Sequence, residues 1–97
     1  MASGDAVNAL ASVAASGTLN IQPGAGNEWI VHNIFLPEGS TSGVEVYAVT
    51  GAVECLLKTV TDPLLTFNFH VTNTYFLKLK NLAGVNVVLG YDGIVVK

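Results

Sequence analysis

The chain has 97 residues, a formal net charge of −3, and is 51% hydrophobic but only 11% charged. Its length fits one domain of about 100 residues, and its composition excludes a disordered chain, which needs low hydrophobicity and high charge. With four lysines and no arginine, it lacks the cationic face that phosphate binding demands, so no nucleic-acid partner is expected.

Residues 1–16 are rich in Ala and Ser and carry one charge, Asp5. They lack the basic start of a signal peptide. The apolar run 6–15, interrupted by Asn8 and Ser12, falls well short of the ~20 residues that cross a bilayer, so no membrane partner is expected. Val7, Leu10 and Val13 recur at helical spacing, and the segment reads as a short helix or an extended N-terminal arm. Ordering a residue costs ~1–2 kcal/mol, more than three buried side chains at ~1.5–3 kcal/mol each can offset over sixteen residues. Such an arm would need backbone pairing with a neighbour.

From Gly17 the chain reads as strands and turns. Residues 18–22 form a first strand that stops at Pro23-Gly24-Ala25-Gly26, a turn signal. Residues 28–36 form the longest run. Strict alternation places Trp29, Val31, Asn33 and Phe35 on one face and Ile30, His32, Ile34 and Leu36 on the other. Both sets are mostly apolar, which predicts a strand covered on both sides or lying at a subunit contact.

A polar loop over 37–43 leads into 44–50, where Val44, Val46 and Ala48 alternate with Glu45, Tyr47 and Val49. Gly51-Ala52 turns the chain into 53–60, with Glu54 and Lys58 expected on one face as a pair. A turn at 61–63 precedes 64–71, where Leu65, Phe67, Phe69 and Val71 share a face. In 75–80 Tyr75, Leu77 and Leu79 point inward and Lys78 and Lys80 outward; Phe76 breaks that pattern and reads as a subunit contact. Strands at 85–89 and 94–96 are expected on either side of a bend or bulge at Gly90-Tyr91-Asp92-Gly93.

Seven or eight short strands with turn signals every ~8–12 residues make this an all-β chain. The expected architecture is an antiparallel β-sandwich over 17–97, jelly-roll-like, with residues 1–16 as an N-terminal arm.

The chemistry-bearing residues are sparse. His32 and His70 have no Cys-x-x-Cys, His-x-His or acidic loop beside them, so no metal and no cofactor is expected. Seven carboxylates are scattered singly, with none of the fixed pairing that glycoside hydrolysis needs. Gly24-x-Gly26 lacks the Lys and helix of a phosphate loop, and no serine sits in a nucleophile elbow. No enzyme is expected. Cys55 is alone and reads as a small buried hydrophobe.

The stretch from Leu19 to Ile34, LNIQPGAGNEWIVHNI, resembles a pattern of small tailed-bacteriophage virion proteins: a "TIQP-x-x-G" strand and turn followed by "E-W-x-[IV]-H-N-I". The run HVTNTYFLKLKN from His70 to Asn81 and the terminal Gly90-Tyr91-Asp92-Gly93 are similar to the same group. The first 16 residues have no counterpart in it. The resemblance implies a compact β-sandwich that decorates or cements a capsid, commonly as a trimer.

The expected function is therefore a non-enzymatic capsid decoration protein. It would bind the outer surface of the major capsid shell as a homotrimer, on the virion, after synthesis in the host cytoplasm. The candidate interface residues are Val7, Leu10, Val13, Trp29, Phe35, Phe76 and Tyr91. The alternative is a carbohydrate- or receptor-binding β-sandwich on a tail or head fibre, with Trp29 or Tyr91 as the ring and Asp92 beside it. Composition adds one argument. A chain of this mass exposes about 5,300 Å², which four cationic and seven anionic side chains cannot keep well hydrated. Part of the surface is then expected to lie against protein.

Overall fold

A computed structural model describes residues 3–35, 43–60 and 64–97. They form eight strands: β1 (Ala6–Val13), β2 (Thr18–Ile21), β3 (Glu28–Phe35), β4 (Val44–Thr50), β5 (Val53–Val60), β6 (Leu64–Thr72), β7 (Tyr75–Asn81) and β8 (Val87–Val95). Two four-stranded sheets result, in the orders β1-β8-β3-β6 and β2-β7-β4-β5, and every pairing is antiparallel. The expected loop over 37–42 and turn at 61–63 lie outside the described residues, as do the side chains of Leu65 and Phe67.

Period-two alternation builds the core, because successive side chains of a strand point to opposite faces. Val31, Ile34, Val71, Leu89 and Val95 of the first sheet meet Ile21, Val44, Val46, Leu77 and Leu79 of the second, all but sealed from solvent. Burying each such side chain contributes ~1.5–3 kcal/mol. The alternation expected in β4 and for Leu77 and Leu79 in β7 holds, and Gly51 supplies the positive φ of 57° that the β4–β5 turn needs. The accessible surface is 5095 Å².

Residues 6–13 are neither a helix nor a detached arm. They run as β1 in continuous register with β8, from Ala6 opposite Ile94 to Val13 opposite Val87. The inward row is Val7, Ala9, Ala11 and Val13, so the valines that looked helically spaced are three strand repeats apart. The two small alanines between them hid the alternation.

The segment Gly90–Gly93 is not a bend. β8 runs straight through it as an inner strand between β1 and β3. Its glycines answer to close approach rather than to turning. A Cβ on Gly93 would run into the Ile30 carbonyl, and one on Gly90 into Leu10 and the Ala9 carbonyl.

Two bulges break alternation and overturn two facial assignments. In β3 the register skips His32, passing from Val31 opposite Gly93 to Asn33 opposite Asp92. The inward set is Val31 and Ile34, while Ile30, Asn33 and Phe35 face out. The run looked apolar on both sides because the faces exchange half-way along. In β5 the register passes from Leu56 opposite Tyr47 to Lys58 opposite Val46, leaving Leu57 as the extra residue. Glu54 and Lys58 therefore fall on different faces, and Glu54 pairs with Lys78 of β7 instead.

Asn81, the one buried polar side chain among the described residues, ties the sheet ends together. Its Nδ2 donates to the carbonyls of Val13, Ala14 and Val85 at 3.2, 3.1 and 3.0 Å, and its Oδ1 accepts from the Ala83 N–H at 2.8 Å.

The obstruction at Gly93 is backbone, which cannot swing aside. Gly93→Ala is expected to destabilise the fold by about 3 kcal/mol, at the upper end of overpacking costs, measured by urea unfolding. The same substitution at Gly84, where an added Cβ meets nothing, is expected to stay within about 0.5 kcal/mol.

Candidate interaction surface

The seven residues expected at an interface scatter over the fold. Val7 and Val13 are buried within the subunit and present no surface to a partner, and Tyr91 is buried but for a small part that borders a surface cleft. Trp29 is half-buried and stacks on Tyr91, ring centroids 6.2 Å apart at 28°. Its Nε1 is buried with no acceptor among the described residues. That pair turns toward the core and does not offer the open aromatic face that a stacked sugar needs. Phe76 is half-buried against the core and lies opposite Val49.

Only Leu10 and Phe35 come together at the surface. Both flank Gly90 in one register row, Leu10 from β1 and Phe35 from β3, and the missing side chain of Gly90 leaves room for them. Leu10 is 70% exposed. Beside them opens a cleft of about 420 Å³, walled by Asn8, Ala9, Leu10, Phe35, Tyr91 and Asp92. Asp92 is its one charged group. The Asn33 Nδ2 donates to the Asp92 Oδ1 at 2.8 Å, and the Thr66 Oγ1 donates to the Asn33 Oδ1 at 3.1 Å. This relay across three strands holds the carboxylate in place at the rim.

The largest departure from expectation is β5. Every residue from Val53 to Thr59 is exposed, on both faces of the strand, including Val53 at 66%, Leu56 at 48% and Leu57 at 44%. Cys55, expected in the core, is exposed with them and unpaired. The cause lies in the stacking of the sheets. β6, at the matching edge of the other sheet, packs over β7 rather than over β5. The sequence carried one signal of this, the adjacent Leu56 and Leu57, which no alternating strand can bury together.

Glu54 of β5 is paired within the subunit. Lys78 Nζ contacts Glu54 Oε2 at 2.5 Å and sits 5.0 Å over the Tyr47 ring. The Tyr47 hydroxyl donates to Glu45 Oε1 at 2.9 Å, and that bond, more than burial, raises the Tyr47 pKa.

The two histidines do not converge on a shared site. His32 occupies the β3 bulge, while the His70 Nε2 meets Glu28 Oε1 at 2.7 Å, with Lys97 Nζ 3.7 Å from the other carboxylate oxygen. Beside Glu28 lies a smaller cleft of about 230 Å³, lined by loop residues 25–27 and 72–74. Among the described residues no three of His, Cys, Asp and Glu gather to hold a metal ion, and no helix is long and apolar enough to cross a membrane. No family model matches the chain, and no curated protein matches it.

Burial raises the pKa of Tyr91 above its ordinary value of 10.0. Above pH ~10 the unfolded chain loses this proton while the fold retains it, so the native state binds more protons and stability falls as pH rises. In urea unfolding followed between pH 9 and pH 11 (about the ordinary tyrosine range), Tyr91→Phe is expected to show a shallower alkaline loss than the parent chain. Equal slopes would remove Tyr91 from the pH dependence.

Proposed function

We propose that the chain is a non-enzymatic structural subunit of a tailed-phage virion. It acts as a decoration or cement protein that assembles into a homotrimer and binds the outer surface of the major capsid shell. The observation that carries this reading is β5, an apolar edge strand exposed on both faces. An edge strand displays unpaired backbone donors and acceptors, and monomeric proteins blunt such edges with charge, proline or cover. β5 has one bulge and two charged residues among its eight, and Glu54 is already tied to Lys78. A strand in that condition fits a subunit that another chain completes.

Three further features support the reading. The strand orders β1-β8-β3-β6 and β2-β7-β4-β5 support reading the two sheets as a jelly roll, a rigid form suited to a shell. The low charge fits a chain whose surface is partly covered. The segments that resemble small phage virion proteins, from Leu19 to Ile34 and from His70 to Asn81, supply β2, β3 and β7, which are framework rather than catalytic elements. β1 enters the reading as part of that framework, because Val7 and Val13 are in its core.

Light scattering on the eluted protein, combined with co-sedimentation on purified heads of the phage that encodes it, tests the proposal. The expected result is a particle of about three times 10.1 kDa that pellets with the heads. A monomer at about 100 μM, well above the concentrations at which specific complexes form, that stays in the supernatant would overturn it.

A further inference from the structure

We propose that Leu56 and Leu57 of one copy seat in the Leu10–Phe35 cleft of the next, with Lys58 reaching Asp92 at the rim. The inference rests on the reading that the chain assembles with copies of itself, and it names the surfaces that meet.

The topology requires the contact to be between copies. β5 is the outer strand of one sheet, whereas the cleft lies on β1, β8 and β3 of the other. A subunit cannot place its own β5 there. The two surfaces differ, so the contact is head-to-tail, and such contacts close into rings when the rotation allows. A trimer is one ring of this kind and uses every β5 and every cleft once, as a two-fold dimer that makes the contact reciprocally would also do; pairing β5 with β5 instead leaves the clefts empty.

Shape and chemistry agree. The bulge leaves Leu57 out of the ladder next to Leu56, and both leucines are exposed. An apolar cavity of about 150 Å³ holds a benzene ring, so a cleft of about 420 Å³ has room for both side chains. Its lining joins the apolar Leu10, Phe35, Ala9 and Tyr91 to the polar Asn8 and Asp92.

Charge selects this partner. Among the described residues Asp92 has no cation within ion-pair distance and Lys58 no anion. Of the other lysines flanking these surfaces, Lys78 is already held by Glu54. Lys58 follows Leu57 directly in the chain on the face of β5 opposite Leu56, so its flexible stem has to bend round the exposed edge of the strand to meet the rim. The Thr66–Asn33–Asp92 relay fixes the carboxylate where that ammonium would arrive.

Charge reversal tests the pairing. Lys58→Glu and Asp92→Lys are each expected to weaken self-association at least ~10-fold, read by analytical ultracentrifugation across a dilution series. The double variant K58E/D92K restores the pair with its polarity exchanged and is expected to return within ~3-fold of the parent. Because rescue requires a folded protein, it also separates the interface from any damage to the β8 relay; Leu56→Asp, at an exposed position, gives a second disruption that leaves the relay intact. Singles that assemble like the parent, or a double variant no better than its weaker single, would overturn the inference while leaving self-assembly standing. So would Cys55–Cys55 disulfide dimers as the main product of mild oxidation, since they mark β5 against β5. A parent chain that is monomeric throughout would remove self-assembly itself.

Discussion

The contact between the two sheets ends one strand early, and most of what distinguishes this molecule follows from that. β1 lies against β2 and β6 against β7, so inward side chains on three strands of the second sheet find partners and those of β5 largely do not. Val60, at the strand's end, is buried; the seven residues before it are exposed. A four-stranded sheet in a two-layer fold normally buries one face of every strand. Here the edge strand is held by its ladder to β4, by the Glu54–Lys78 pair and by Val60 at its end, and both faces of residues 53–59 are left to solvent or to another chain.

The other edges are treated differently. β1 is anchored by Val7 and Val13, and β8 beside it admits both neighbours only because Gly90 and Gly93 carry no side chain. The same absence at Gly90 lets Leu10 and Phe35 stand together over β8 and makes one wall of the cleft. Packing and surface chemistry are thus coupled at one glycine. β6, the remaining edge of the first sheet, exposes Thr66, Asn68 and His70, the polar dressing expected of an edge that meets water. Against that contrast the apolar β5 is the exception.

Much of the fold was legible in the sequence, and the failures have physical causes. β2 to β7 lie within a residue or two of the runs of Val, Ile, Thr and aromatic residues that predict them, because turn residues bounded each one clearly. Which way side chains point was less legible. A bulge shifts parity by one residue, and neither His32 nor Leu57 differs in type from a residue in regular strand. Glycine carries two meanings: Gly90 and Gly93 looked like a turn because a sequence does not reveal that neighbouring strands crowd a straight one. Alanine at positions 9 and 11 masked the strand period in β1. Of the candidate interface, Leu10 and Phe35 were legible as large apolar residues. Val7, Val13 and Tyr91 were not separable from them, since burial inside a subunit and burial between subunits select the same residue types.

The central claim is that β5 is covered by a second copy of the chain. Amide hydrogen exchange of residues 53–59, measured at high and at low protein concentration, tests it most directly, because the outward amides of an uncovered edge strand exchange through local fraying. The account predicts slow exchange in the concentrated protein and release on dilution, confined to β5 and to the strands around Leu10 and Phe35. Rapid exchange along β5 at every concentration would contradict it.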